Sequence, residues 1–263
     1  MPYSNLDSVD NILKAQEAGG VLMRMMHGYS AAITPATISS GYMTTRRFPI
    51  NFTTPALTGY DGYFYDVRFV PALTVFGNIS GIEYHLGSIN LATGTYTADQ
   101  PAPTKSIRVA GVTTSRQTAF PSGCVFAVIT SAIGASATTL DLTYTDQDGN
   151  TGATTSGFIV PASAQTNSAY ILTPDFMASG DSGIRAITAC TKSGATTGTI
   201  DFYGILPVAW NLNQIGYNSP NFSNLNNATF PKYIAESGDK LGFYDFGSAS
   251  SSNCDYIIIG RPI

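Results

Sequence analysis

Between Thr138 and Val160 the chain reads TTLDLTYTDQDGNTGATTSGFIV. Leu140, Leu142 and Tyr144 alternate with Asp141, Thr143 and Thr145, and a period of two puts apolar side chains on one face of a strand and polar ones on the other. Asp148-Gly149 then supplies a turn, and Thr-rich sequence returns into Phe158-Ile159-Val160. The stretch predicts a β-hairpin with a slightly long loop. Because the same pattern recurs on both sides, this hairpin is taken as the unit of the architecture.

Strand-like runs follow one another through the middle of the chain: Ile107–Val112, Cys124–Thr130, Leu140–Thr145, Gly157–Val160, Ala169–Thr173, Ile184–Cys190, Thr199–Tyr203 and Leu206–Trp210. Gly, Ser, Pro or Asp-Gly clusters punctuate nearly all of them. Many short strands so spaced predict an all-β fold, an antiparallel β-sandwich or jelly roll. Cys124-Val-Phe-Ala-Val-Ile is apolar on both faces and should be a central strand. A weak echo links Ala137–Tyr144 to Ala195–Tyr203, which two Greek-key halves or composition alone could produce.

Four regions are expected. Residues 1–55 form an N-terminal helix and an extended arm. Asp7 or Ser8 caps the helix, Val9, Ile12, Leu13 and Gln16 share a face, and Gly19-Gly20 stops it before the Met-rich run Val21–Met26. Residues 56–103 hold a small β region, with strands at 60–70, Leu73–Phe76 and Gly81–His85, and the linker ADQPAP. Residues 104–210 are the main sandwich. Residues 211–263 are an irregular tail rich in Asn and aromatics, which returns as a strand at Asp255–Gly260 and either completes the first sheet or pairs with a neighbouring chain.

Composition narrows the partners. Charged residues are 11% of the chain, against about 25% in an average globular protein. With hydrophobic residues at 43%, a core can be built, so the polar surface is left to hydroxyls and amides. Such a surface suits contact with other subunits, since few charges must be desolvated. A net charge of −4 with 13 Lys plus Arg speaks against nucleic acid, and Arg46-Arg47 is only a pair. No signal peptide and no membrane-spanning run is read. Cys124, Cys190 and Cys254 show no Cys-x-x-Cys spacing. Cys124 and Cys190 could bridge two sheets, but the immunoglobulin Trp between them is missing, and buried free thiols are expected.

Candidate chemistry is sparse. Gly180-Asp181-Ser182-Gly183 matches the nucleophile signature of chymotrypsin-like proteases, with His85 as base and Asp99 or Asp141 as its orienting carboxylate. The match degrades around it: His85 sits in Glu-Tyr-His-Leu, and Ile184 stands where a further glycine is wanted. The same tetrapeptide is also an ordinary turn between strands. Asp146, Asp148 and Asn150 offer oxygens at alternate positions, as a calcium loop does. The glycine and the closing carboxylate are misplaced, so a hairpin turn is the reading. Tyr60, Tyr63, Phe64 and Tyr65 cluster at a turn as core and interface residues, or as a stacking surface for sugars. Asn-x-Ser/Thr triplets at Asn51, Asn78, Asn221 and Asn227 are expected by chance. No catalytic residue, cofactor site or metal site is assigned, and the chain is not expected to be an enzyme.

Taken together, the Ser/Thr/Gly/Ala-rich strands, the TDQDGNTG hairpin, the arm and the Asn-rich tail resemble structural proteins of tailed-bacteriophage virions, of the head-decoration (cement) or tail and collar type. The resemblance covers mainly residues 105–210. It implies a non-enzymatic part of a viral particle, made in the host cytoplasm, that binds and stabilises the capsid or tail surface. The implied partners are other virion proteins and further copies of the chain in a homo-oligomer such as a trimer, with the arm and the C-terminal strand making inter-subunit contacts. A receptor- or carbohydrate-binding tail module is the alternative, and a serine protease a third.

Overall fold

The computed structural model describes side chains at 81–99, 125–155, 157–172 and 175–205, together with Arg47, Lys240, Gly242 and Tyr244, and backbone pairing alone in the other strands named below. The expected helix over 7–18, the arm over 31–43 and the linker from Gln100 to Pro103 lie outside the described residues.

In chain order the strands are β1 (Leu22–Ser30), β2 (Thr44–Arg47), β3 (Phe52–Thr53), β4 (Tyr60–Pro71), β5 (Val75–Asn90), β6 (Thr95–Ala98), β7 (Ser106–Val109), β8 (Val112–Ser115), β9 (Cys124–Ser131) and β10 (Thr138–Asp146). They continue as β11 (Thr151–Thr154), β12 (Phe158–Val160), β13 (Ser168–Leu172), β14 (Ile184–Lys192), β15 (Thr199–Gln214), β16 (Asn221–Phe222), β17 (Tyr233–Ile234), β18 (Lys240–Phe246) and β19 (Ser251–Pro262). The pairings among these strands are antiparallel, and a 3₁₀ turn, Pro174–Phe176, lies between β13 and β14. The described part is the antiparallel β fold that the alternation predicts. Among the described residues no helix is long and apolar enough to cross a membrane.

The central hairpin forms as expected. Thr138–Leu140 pair with Val160–Phe158, and the intervening sequence adds β11 against Thr143–Thr145. Leu140, Leu142, Tyr144, Phe158 and Val160 are buried, as the period of two requires. Thr155 holds the junction between β11 and β12, its Oγ1 accepting the Leu142 amide at 2.8 Å. β14 covers the other edge of β10 from Asp146 to Leu140.

Two expected pairs of strands are in fact single ones. Gly81–His85 and the second half of Leu73–Phe76 lie within β5, while Thr199–Tyr203 and Leu206–Trp210 are both β15. Pro207, inside the expected run Leu206–Trp210, sits beside a register break between Pro207 and Ala209, where a sheet tolerates a residue without an N–H. The C-terminal strand β19 completes a sheet within the chain, between β1 and β4.

The largest sheet closes on itself. β5 pairs with β15, β15 with β9, β9 with β13, β13 with β2, β2 with β18, and β18 returns to β5. A closed ring of antiparallel strands has no edge to protect. Its interior holds Phe126, Val128, Ala169, Ile205 and Tyr244, with Ile171 and Tyr203 packed on them. On the opposite face of the same wall Val125, Ala127, Ile129, Ile200, Phe202 and Ile82 are buried beneath the β10–β14 layer. Phe158 meets Tyr170 edge-on at 6.0 Å, and Tyr96 Oη donates to the Ile187 carbonyl at 3.2 Å. Hence β9 is buried on both faces, which is why Cys124–Ile129 carries no polar face.

Candidate functional site

The Gly180–Gly183 tetrapeptide is a loop leading into β14. Gly180 turns with φ 98°, and the amides of Ser182 and Gly183 both donate to Gln147 Oε1, at 2.9 and 3.3 Å. Asp181 accepts from Tyr144 Oη at 2.6 Å. The base proposed for Ser182 is engaged elsewhere, because His85 Nδ1 lies 2.9 Å from Asp99 Oδ2 and Nε2 lies 3.1 Å from Ser88 Oγ. Asp141 instead accepts the Gly157 amide at 3.1 Å. Of the residues suspected for protease chemistry, the fold joins His85 to Asp99 and leaves Ser182 and Asp141 apart from them.

At the hairpin tip Asp146 is an acceptor for the loop's own N–H groups. Its Oδ1 takes the amides of Asp148 and Asn150 at 2.8 and 2.9 Å, and Oδ2 takes Asn150 Nδ2 at 2.8 Å. The Asn150 side chain is the main reason the Asp146 carboxyl sits below its usual range, with the loop amides adding to it and burial opposing. Arg185 closes the loop from β14, its Nε and Nη2 on the Gln147 carbonyl at 3.0 and 2.6 Å. These donors take the positions a cation would need. Among the described residues no group of three or more His, Cys, Asp or Glu side chains is placed to hold a metal ion.

Cys190 is a buried free thiol, and burial pushes it up to about 12, so it is a packing residue and not a nucleophile. Nothing is described of the side chains of Cys124, Cys254 or the Tyr60–Tyr65 cluster.

A polar cluster that pattern reading did not find runs along the barrel interior. Glu83 of β5 is buried, and Arg47 of β2 clamps it with two bonds, Nε to Oε2 at 3.1 Å and Nη2 to Oε1 at 2.5 Å. Tyr244 Oη donates to Glu83 Oε2 at 3.2 Å, and its ring stacks on Phe126 at 4.1 Å. Burial, then the Glu83 charge, raises Tyr244 well above the ordinary phenol range. The Arg47 guanidinium lies 4.5 Å from the centre of the Tyr203 ring. Burial opposes the charge on Arg47, yet the Glu83 bonds and charge outweigh it and raise the guanidinium further. Gly242, opposite Gly81 on β18, leaves the room that Glu83 occupies, since a Cβ there would strike the Glu83 carboxylate.

Toward the end of the barrel the cluster continues through Tyr203, 5.1 Å from the His85 ring, to Ser88 and Asp201. Ser88 Oγ donates to Asp201 Oδ1 at 2.7 Å. His85 and Ser88 are three apart on one strand, so regular alternation would send them to opposite faces. A bulge changes this. Tyr203 pairs with His85 but Phe202 pairs with Gly87, which leaves Leu86 as the extra residue and returns Ser88 to the His85 face. The result has the connectivity of a Ser–His–Asp triad. However, the Ser88 proton points to a carboxylate, and a negative charge developing on Oγ would face Asp201 at 2.7 Å. This is a hydrogen-bonded chain and not an activated nucleophile.

No family model matches the sequence, and no curated protein matches it. Among the solved structures aligned with it are three from infectious bursal disease virus. The VP2 subviral particle is 7% identical at a TM-score of 0.19, over 93% of this chain and 81% of that one. The protein of the T=1 particles is 8% identical at 0.19, over 93% and 78%. That of the Gt strain is 9% identical at 0.16, over 93% and 82%. Likeness of this degree supports neither a shared fold nor a shared role.

Proposed function

We propose that the chain is a non-enzymatic structural component of a viral particle, of the kind that binds a capsid or tail surface and stabilises it through contacts between subunits. The observation that carries the reading is the outward face of the β10–β14 layer. Register places Thr139, Asp141, Thr143 and Thr145 of β10 beside Thr151 and Thr154 of β11, Ile159 of β12 and Ala186, Ala189 and Thr191 of β14. Asp141 is the one charge among them, and Ile159 is the large apolar residue, 44% exposed. Hydroxyls that find hydrogen-bond partners, and methyls, cost less to bury against a partner than charges do. The barrel behind this layer keeps its charges paired inside, which suits a scaffold.

Binding of the assembled state in preference to its parts adds stability to the assembly by linkage. The test is particle association of the full chain. Thr143→Lys with Ile159→Lys places two charges on the face without touching the core. The double variant should keep its thermal unfolding temperature within a few degrees and lose co-sedimentation with particles. A parallel deletion of residues 1–20, which leaves β1 in place, should also release the chain. Undiminished association of both variants would overturn the reading.

A further inference from the structure

We propose that Asp99, His85, Ser88 and Asp201 form a proton-gated latch that ties Asp99, next to the end of β6, to the wall of the barrel. Three bonds run in series: Asp99 Oδ2 to His85 Nδ1 at 2.9 Å, His85 Nε2 to Ser88 Oγ at 3.1 Å, and Ser88 Oγ to Asp201 Oδ1 at 2.7 Å. Counting protons decides how they can be satisfied. Ser88 has one hydroxyl proton, and ionised Asp201 can only accept it. Ser88 then turns a lone pair toward Nε2, which must supply an N–H. Asp99 likewise demands an N–H at Nδ1. A neutral imidazole has one such proton and an imidazolium has two.

The chain is therefore complete only with His85 doubly protonated. With the proton on Nε2 alone, a carboxylate faces the bare Nδ1 lone pair. With the proton on Nδ1 alone, Ser88 must turn its hydroxyl to Nε2 and abandon Asp201. Asp201 is 18% exposed and Asp99 69%, so the Ser88–Asp201 bond is the costlier one to break; the neutral ring keeps its proton on Nε2 and the Asp99 link is the one that opens. A rise in pH that removes the second ring proton therefore opens the latch, and acidification closes it.

The described surroundings agree with a cationic ring. Asp201 Oδ2 lies 3.9 Å from Nε2, and Asp99 is on the other side. Tyr203 presents its ring to the imidazole and donates from Oη to Asp201 Oδ2 at 3.3 Å. Arg47, beyond Tyr203, is neutralised by Glu83, and Lys240 pairs across from Glu83 on β18. Opening has a defined mechanical meaning. The Asp99 amide also bonds the Leu86 carbonyl at 3.1 Å, so the latch and this bond together hold the end of the β5–β6 hairpin.

The test uses the full chain labelled with nitrogen-15. Ring nitrogens of His85, assigned against His85→Gln, should both carry protons at the acid end and show a single protonated nitrogen at the alkaline end. The exchange protection factor of the Asp99 amide should fall about threefold to tenfold across the same range, the loss expected for one partly exposed charged hydrogen bond. His85→Gln should abolish that pH dependence. Asp201→Asn should move the ring to the one-proton form, because the Asn amide can donate to Ser88 and free the hydroxyl proton for Nε2. Ser88→Ala should uncouple Asp201 while leaving the Asp99 link. Protection at Asp99 that does not change with pH, or a ring protonation pattern identical in wild type and Asp201→Asn, would overturn the latch.

Discussion

Glu83 shows how one buried carboxylate constrains three strands. It takes two bonds from Arg47 and one from Tyr244 and sits where Gly242 has no side chain. Removing one partner leaves a buried charge uncompensated, which costs about 3–5 kcal/mol, whereas replacing both by apolar groups of similar size is often close to neutral. Glu83→Leu should therefore destabilise by about that amount in urea denaturation. Adding Arg47→Met should recover most of the loss. Gly242→Ala should cost about 1–3 kcal/mol by forcing the carboxylate off its partners. Asp146 gives a pH prediction with a definite sign. Hydrogen bonds hold its carboxyl below the unfolded value of about 3.9, so its contribution is fully present above that value and is lost as pH falls through the folded one. Asn150→Ala removes the largest cause of the shift, and the gap in unfolding temperature between wild type and variant should narrow below about pH 4. A gap that stays constant to pH 2 would remove Asn150 from this role.

Among the elements, the hairpin of β10 with β11 and β12 was readable because each of its faces meets one environment. Leu142 faces the core and Thr143 faces outward, so period and burial coincide. Leu142→Ala should cost about 2–5 kcal/mol, measured by chemical denaturation, while Thr143→Ala on the outer face should change stability by less than about 0.5 kcal/mol. The long strands were harder to read. Gly81 in β5 and Pro207 in β15 interrupt the apolar pattern, yet they face each other across the ladder, so both irregularities fall at one place in the sheet. Breakers that look like turn signals along the chain become a shared bulge once two strands are paired.

At the scale of the molecule, closure joins segments far apart in sequence. β2 and β18 complete a ring whose remaining members lie between residues 75 and 214. Separate substitutions in β2 and β18 should then lower the stability of the same cooperative unit. Arg47→Ala and Tyr244→Phe should each shift a single unfolding transition, followed by tyrosine fluorescence, without creating a second one. Two resolved transitions would mean that these strands are not integral to the barrel. The outer face, with Asp141 as the one charge among its named residues, belongs to this scale too, because β10, β11, β12 and β14 contribute to it together.

The sequence by itself determined the fold class and the hairpin, since both follow from a two-residue period that each strand carries locally. It also indicated that β9 lies centrally, through apolar residues on both faces from Cys124 to Ile129, and it brought His85 and Asp99 under the same suspicion. The tertiary structure alone decided that the sheet closes, that Arg47 meets Glu83, and that Ser88, not Ser182, lies beside His85. These are consequences of pairing register. One extra residue at Leu86 reverses which face Ser88 occupies, and no local pattern records where a partner strand places its bulge.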